Sequence, residues 1–297
     1  MHSDFLTQMA ASSRARAATA RAACPESRMR QLAREHTPAP ALRLVRGDFG
    51  LIAELKLRSP AAGPLGETGA DVERRVRAYG AAGAAAVSVL TEPERFDGDL
   101  EHLRRAAAAL APLGVPAMRK DFLVDPYQLA EARAAGAGGV LLIVRMLEQD
   151  ALEGMIGRAR ELGLFALLET FDERDIERLH ALTARVGADG LLAGVNCRDL
   201  TTLEVVPSRL EALGPLLPRA LARVAESGVT TPEDARRMGQ AGYDLALVGS
   251  ALMRAADPAA LAAAMTAAGR AAKRGAPGPA GRAAALTARD GAERGPT

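Results

Sequence analysis

Residues 116–144, PAMRKDFLVDPYQLAEARAAGAGGVLLIV, decide the fold of this chain. The stretch opens on a short apolar run that stops at three charged residues, Arg119, Lys120 and Asp121. A helical pattern and a glycine-rich turn follow, before a second apolar run over 140–144. This order is typical of a right-handed crossover between parallel strands, and it puts the charged cluster where the first strand ends.

Short apolar runs alternate with helical patterns from residue 51 onward. The eight predicted strands cover 51–55, 86–90, 115–118, 140–144, 164–168, 191–195, 222–225 and 245–248. The runs are continuously apolar, as expected for parallel strands that are covered on both faces. Eight strand–helix units predict an α/β fold, a closed (β/α)8 TIM barrel. A doubly wound open sheet fits less well, because it usually has fewer strands and no GxGxxG follows the first strand.

Two segments flank the predicted barrel of residues 48–268. Residues 1–47 are rich in Ala and Arg with helical spacing, and we expect an ordered helical extension with one helix over 3–23. A disordered tail is the alternative, but the segment enters the first strand without a Gly/Ser linker. Residues 269–297 mix Gly, Pro, Ala and charge without periodicity, so we expect a disordered C-terminal tail.

The composition argues against several classes of protein. A net charge of +2 and an aromatic content of 3% do not suggest a nucleic-acid surface. The apolar runs are far shorter than the roughly 20 residues that span a bilayer, and no signal-peptide core is evident. Two cysteines make neither a disulfide framework nor a metal pattern, so a reducing, cytoplasmic setting is the default.

Polar and charged residues lie at the ends of the predicted strands, and in a parallel barrel these positions share one mouth. The candidates are Glu54, Lys56, Lys120, Glu169, Asn196 and Arg198. Each alone would usually be a solvated loop residue, but the joint pattern predicts a catalytic mouth. Strand periodicity points Glu54 and Lys56 to the same side. Lysines near carboxylates can act as paired acid and base once burial tunes their pKa values.

Ser227-Gly228 and Gly249-Ser250 end the last two predicted strands, which are the phosphate-site positions of many such barrels. Glycine lets backbone N–H groups approach an anion, so the two pairs favour a phosphate site over ordinary turns. No histidine lies at a predicted strand end, which argues against a Ser-His-Asp system. Cys197 lies in the mouth and is interpreted as a passive neighbour, with a reactive thiol as the alternative.

From about residue 5 to 265 the chain resembles the indole-3-glycerol phosphate synthase family. The matching segments are 52–56 (IAELK) with Ser59 and Pro60, 88–91 (SVLT), 119–122 (RKDF), 125–128 (DPYQ), 168–169 (LE), Asn196 with 198–200 (RDL), 226–228 (ESG) and 248–253 (VGSALM). The RKDF-to-DPYQ and N-x-RDL stretches are specific, whereas the Ser-Gly and Gly-Ser pairs are common to many phosphate barrels.

The resemblance implies an enzyme that closes the ring of 1-(2-carboxyphenylamino)-1-deoxyribulose 5-phosphate. The products would be indole-3-glycerol phosphate, CO₂ and water, as part of tryptophan biosynthesis. The family uses neither a cofactor nor a metal. By motif position, Lys120 would be the general acid for ring closure, and Glu169 and Lys56 would carry the later proton transfers.

The remaining site residues implied by the resemblance fall into three groups. Those that would orient the catalytic groups and the substrate are Glu54, Asn196 and Arg198. Those that would hold the phosphate are Ser59, Ser227, Gly228, Gly249 and Ser250. Those that would pack against the aromatic ring are Phe122 and Leu142, for which ordinary core packing is the alternative. The N-terminal extension would help to cover the mouth.

Three departures from the family pattern leave other functions open. Ala61 and Ala62 replace a hydroxyl and a charge in the first loop, Thr170-Phe171 replaces Val-His, and Cys197 replaces Asn or Ser. One alternative is a pathway-specific paralogue that acts on a related arylamino sugar phosphate in specialised metabolism. Another is a non-catalytic phosphate-binding barrel. The sequence also leaves open whether the chain docks with another enzyme of the pathway.

Overall fold

The computed structural model describes residues 5–45, 47–59, 63–65, 71–199 and 202–275. Its strands are β1 Gly50–Leu55, β2 Arg58–Ser59, β3 Gly63–Pro64, β4 Ala86–Leu90, β5 Ala117–Lys120, β6 Gly139–Ile143, β7 Phe165–Thr170, β8 Leu191–Asn196, β9 Ala222–Glu226 and β10 Leu245–Val248. Its α-helices are α1 Phe5–Ala23, α2 Glu26–Glu35, α3 Val72–Ala81, α4 Pro93–Phe96, α5 Leu100–Leu110, α6 Pro126–Ala134, α7 Gln149–Glu161, α8 Glu173–Val186, α9 Ser208–Leu213, α10 Pro232–Ala241, α11 Ser250–Arg254 and α12 Pro258–Gly275.

Eight of these strands close into one parallel barrel. The strands follow one another around it in chain order, and β1 pairs with both β4 and β10. The two-residue strands β2 and β3 form a separate antiparallel ribbon just after β1. Helices alternate with the barrel strands, so the predicted (β/α)8 TIM barrel is confirmed.

The strands bury both faces, which explains their continuous apolar runs. On β1, Leu51 and Ala53 pack into the layer between the sheet and the helices, whereas Ile52 packs inside the barrel. On β6, Leu141 and Ile143 face the interior and Leu142 faces the helices. This period of two decides which side chains at the strand ends can reach the mouth.

The N-terminal extension packs against the barrel, and the predicted N-terminal helix is confirmed. Helix α1 ends at Ala23, and a second helix that the sequence analysis did not resolve, α2, begins just after Pro25. The Tyr127 hydroxyl on α6 lies 3.0 Å from the Ala20 carbonyl oxygen and 2.8 Å from the Cys24 carbonyl oxygen, and the two share its one proton. Phe5 reaches the barrel mouth and lines its cavity.

The last described helix extends further than the sequence predicted. Helix α12 continues to Gly275, so the prediction of disorder was wrong for residues 269–275, and residues 276–297 lie outside the described part of the chain. Contacts that the sequence does not reveal hold this last turn: Arg270 donates to the Phe49 carbonyl at 3.0 Å, and Lys273 donates to the Tyr243 carbonyl at 2.8 Å. No helix in the described ranges combines the length and apolarity needed to cross a membrane.

Candidate active site

Four ionisable side chains form a charged layer inside the mouth of the barrel: Glu54, Lys120, Glu169 and Glu226. They come from β1, β5, β7 and β9, which are alternate strands around the barrel. TIM barrels fill their interior with such layers of four side chains, usually branched apolar ones. Lys120 Nζ lies 3.1 Å from Glu169 Oε2 and 3.8 Å from Glu226 Oε2. A barrel layer built from one lysine and three glutamates is suited to proton transfer.

Lys56 extends this layer at the end of β1. Its Nζ lies 2.6 Å from Glu54 Oε1, so the two side chains share the interior side, as their spacing predicts. Burial raises the pKa of Glu54, but Lys56 and Lys120 outweigh burial and the pKa is lowered. The Glu54 carboxylate is therefore an ionised partner for both lysines at neutral pH.

Lys120 carries a proton that its surroundings hold tightly. Burial lowers the pKa of the ammonium, but the carboxylates of Glu169, Glu226 and Glu54 outweigh burial and raise it above its ordinary value. The side chain is 18% exposed, so it still faces the open cavity. A charged donor at the edge of a cavity meets the geometric and protonation requirements of a general acid.

Glu226 belongs to the charged layer, although the sequence pattern assigned it no role in the site. Its side chain is 1% exposed, and neither carboxylate oxygen accepts a hydrogen bond within the described ranges. Burial and the neighbouring Glu169 carboxylate raise its pKa well above the ordinary value, and only Lys120 opposes them appreciably. The Glu226 carboxyl group therefore keeps its proton to a higher pH than an ordinary glutamate does. Its position at the end of a strand, directly before Ser227-Gly228, was the available sequence signal.

The buried carboxyl of Glu226 should make the protein less stable as the pH rises. Because its folded pKa is raised, the unfolded chain ionises first, and each pH unit between the two pKa values costs about 1.4 kcal/mol. Glu226→Gln removes this titration, so the variant should gain stability relative to wild type above pH 5. Urea unfolding between pH 4.5 and 8 measures the difference.

A matched glutamate on the surface provides the control for this prediction. Glu233 pairs with Arg236, which lowers its pKa. Glu233→Gln should therefore change stability in the opposite direction as the pH rises, and only slightly, because exposed pairs contribute little. Parallel pH curves for wild type and Glu226→Gln would contradict a raised pKa for Glu226.

A chain of hydrogen bonds orients Glu169. The Ser227 hydroxyl donates to Asn196 Oδ1 at 2.8 Å, and the Arg198 backbone N–H donates to the same oxygen at 3.0 Å. These two donors fix the amide so that Asn196 Nδ2 donates to Glu169 Oε1 at 3.2 Å. The Arg198 guanidinium donates to the Leu203 carbonyl at 2.8 Å and lines the cavity. Asn196 therefore contacts Glu169 directly, whereas Arg198 contributes to this chain of hydrogen bonds only through its backbone N–H.

The residues predicted to hold a phosphate come together on one cavity. Its walls include Ser59, Ser227, Gly228, Gly249 and Ser250. Ser227 and Gly228 have φ values of +66° and +71°, so the turn after β9 is left-handed at both residues. That conformation is uncommon for serine and is typically retained where the backbone serves a function.

The same cavity has an aromatic wall. Its volume is about 370 Å³. The Phe122 ring packs edge-on against Phe5 with centroids 5.7 Å apart, and lies 6.1 Å from the Phe96 ring. The prediction that Leu142 packs against a substrate ring was wrong, since this side chain faces the helices and its inward neighbours Leu141 and Ile143 line the cavity instead.

The departures from the family pattern that the structure describes do not reach the cavity. Thr170 is buried and donates to the Gly194 carbonyl at 2.6 Å, while Phe171 packs under Arg145 with the guanidinium carbon 4.7 Å from the ring centroid. Cys197 is fully buried, and burial raises its pKa to about 11. Its thiol is therefore protonated at neutral pH, in agreement with a passive role. Ala61 and Ala62 lie outside the described residues.

Solved structures that resemble this chain share its barrel. Thiamine phosphate pyrophosphorylase from Pyrococcus furiosus superposes with a TM-score of 0.55 at 17% identity, covering 76% of this chain and 98% of its own. The 3-hexulose-6-phosphate synthase from Salmonella typhimurium gives a TM-score of 0.58 at 17% identity, covering 75% of this chain and 100% of its own. At this identity the likeness shows the fold alone.

Sequence comparison gives a closer relationship. The family model for indole-3-glycerol phosphate synthase matches residues 6–265. The synthase of that name from Kineococcus radiotolerans is 46% identical over 219 residues, which is 74% of this chain and 76% of the relative. The one from Mycobacterium leprae is 42% identical over 253 residues, which is 84% of this chain and 89% of the relative. The chain belongs to the indole-3-glycerol phosphate synthase family.

Proposed function

We propose that this chain converts 1-(2-carboxyphenylamino)-1-deoxyribulose 5-phosphate to indole-3-glycerol phosphate, with loss of CO₂ and water. The observation that carries the proposal is the Lys120 ammonium, held between Glu169 and Glu226 on a cavity that also contains aromatic rings and Ser-Gly turns. The substrate has matching parts: a carbonyl to be protonated, an aromatic ring and a phosphate.

Ring closure is the step assigned to Lys120. The ring carbon that carries the carboxylate attacks the ketone carbon of the sugar, and the Lys120 ammonium gives its proton to the carbonyl oxygen. Proton transfer in the transition state avoids a free alkoxide, and such general acids contribute typically 10²–10⁴-fold to the rate. The high pKa of Lys120 keeps this proton in place until the developing oxyanion provides a stronger base.

Decarboxylation and dehydration complete the reaction. The carboxylate leaves the ring carbon as CO₂, and its bonding electrons restore the aromatic ring. The hydroxyl formed by ring closure then leaves as water, with one acid supplying its proton and one base removing a proton from the adjacent carbon. We assign these transfers to Lys56 and Glu169, with Lys56 also near the substrate carboxylate. These steps need no oxidant or reductant, because they consist of proton transfers and the loss of CO₂ and water.

Binding of the substrate falls to the rest of the cavity. We assign the phosphate to Ser59 and to the two turns Ser227-Gly228 and Gly249-Ser250, all of which line it. Phe122 is assigned to the aromatic ring of the substrate, because it lines the cavity and packs against Phe5 in the apolar wall. We place the enzyme in the cytoplasm, where a phosphorylated intermediate of amino-acid synthesis is available.

Product formation tests the proposal directly. Purified protein is mixed with the carboxyphenylamino deoxyribulose phosphate, and the growth of indole fluorescence is followed. Saturable turnover with release of CO₂ is expected. Substrate binding without turnover would favour the non-catalytic phosphate-binding barrel. Slow turnover here, together with faster reaction of a differently substituted arylamino sugar phosphate, would favour the paralogue.

A further inference from the structure

Gly194 lies where the barrel interior leaves a gap for Glu226. A Cβ placed on Gly194 would lie 2.1 Å from Glu226 Oε1 and 3.1 Å from Leu167 Cδ1. Carbon and oxygen cannot approach to 2.1 Å without a bond, so any side chain at residue 194 would displace the carboxyl group. Gly194 pairs in register with Glu169 on β7, which puts this gap beside the charged layer.

The backbone conformation at residue 194 does not require a glycine. Gly194 lies inside β8, and its φ is outside the left-handed region that favours glycine. Glycine within a strand weakens it, and it often marks a place where another group approaches closely. The Glu226 carboxyl is that group, because it is the nearest neighbour of the missing Cβ. The residue is therefore needed for space and not for conformation.

We propose that Gly194 is a positioning residue for the reaction, because its missing side chain forms the slot that holds the Glu226 carboxyl against the Lys120–Glu169 ion pair. The inference rests on the proposed function. With the slot intact, Lys120 has a carboxyl group 3.1 Å away on one strand and another 3.8 Å away on a second strand. With the slot filled, Lys120 loses its contact with Glu226, and its ammonium is no longer held between Glu169 and Glu226 in the position needed for proton transfer.

The Gly194→Ala variant should separate the positioning of the catalytic groups, which affects kcat, from the binding of substrate, which affects KM. The slot belongs to neither the phosphate turns nor the aromatic wall, so KM should stay within about twofold while kcat falls on the order of 10²-fold, the loss that about 1 Å of misplacement can cause. The fold should survive, because the atom that must move is the end of a flexible side chain. Thermal unfolding checks this.

Gly50→Ala is the matched control. Gly50 lies on the same inner side of β1 as Ile52, at the opposite end of the barrel, and its added Cβ would meet the flexible end of Leu245 at 3.2 Å. It introduces a comparable interior contact without touching a charged group, so kcat should equal that of wild type. An equal loss of kcat in Gly50→Ala would overturn the proposal.

A double-mutant cycle asks whether Gly194 acts through Glu226. Glu226→Ala removes the group that the new methyl would displace, so Gly194→Ala should cause no further loss of kcat in that background. The same fold-loss in both backgrounds would show that Gly194 acts by another route and would refute the positioning role.

The pH dependence of stability can be measured without substrate, so it tests the role of Gly194 independently of the proposed function. The charged groups that face Glu226 are Glu169, Lys120 and Glu54. If Gly194→Ala expels the carboxyl towards solvent, the loss of stability with rising pH that Glu226 causes should diminish in the variant. An unchanged pH dependence would refute the slot, whether or not the wild-type protein forms indole-3-glycerol phosphate.

Discussion

Lys120→Met is expected to lower kcat by about 10³-fold, while KM changes by no more than a few-fold. The proton of Lys120 is used only as the carbonyl oxygen becomes negative, so its loss affects the transition state more than the bound substrate. Methionine keeps the length of the side chain and removes the proton. Glu169 and Glu226 then face each other without the ammonium between them, and neither carboxyl group can supply a positively charged proton donor.

Lys273→Met is the control for this prediction. Lys273 is also a largely buried lysine in an ion pair, with Asp244, but it lies at the opposite end of the barrel on α12. Single-turnover fluorescence should show wild-type rates for this variant, and unfolding curves should show that both proteins are folded. A loss of less than tenfold for Lys120→Met would transfer the role of acid to Lys56.

The positions of the strands followed from hydrophobicity, but their ends did not. The third strand was predicted over 115–118 and is Ala117–Lys120, because its last two residues are charged. Lys120 points into the mouth, while Arg119 lies buried behind it, 3.2 Å from Glu131 on α6. An apolar run stops where such residues begin, whereas the strand continues through them. Hydrophobicity therefore predicts the strand ends least accurately at the mouth of the barrel, where the site lies.

The same limit explains why Glu226 was not assigned a role. The pKa of its carboxyl is raised by burial and by Glu169 on β7, and the space for the side chain is left by Gly194 on β8. Nothing in the local sequence around 226–228 specifies that environment. The predicted position of Leu142 failed for a simpler reason, since a shift of one residue along a strand reverses the face.

Asp121→Asn is expected to lower the free energy of unfolding by about 3–5 kcal/mol, the cost of breaking a buried ion pair. The carboxylate is fully buried and accepts hydrogen bonds from Arg16 at 2.8 and 3.0 Å, from Thr91 at 2.8 Å and from Arg119 at 3.2 Å. An amide would direct its own N–H groups at these donors or at the Phe122 backbone N–H, which also donates to Asp121.

The loss of stability caused by Asp121→Asn should become smaller as the pH falls. Burial raises the pKa of Asp121, but the hydrogen bond from Arg16 and the charge of Arg119 outweigh burial and lower it from 3.8 to about 2. The corresponding stabilisation, about 2 kcal/mol, is present above pH 4 and is lost as the pH falls towards 2. The difference between wild type and Asp121→Asn should therefore narrow in acid.

Asp125→Asn isolates the contribution of burial, because Asp125 also pairs with an arginine of α1. Arg21 lies 2.6 Å from its carboxylate, but both side chains are partly exposed. Asp125 also caps α6 by accepting from the Tyr127 backbone N–H, and asparagine caps equally well. Its replacement should therefore cost less than about 1 kcal/mol. Equal losses for the two variants would show that the partly exposed Arg21–Asp125 pair holds α1 as strongly as the buried Arg16–Asp121 pair does. A large loss for Asp121→Asn alone would show that the buried contact beside Lys120 fastens this helix over the mouth.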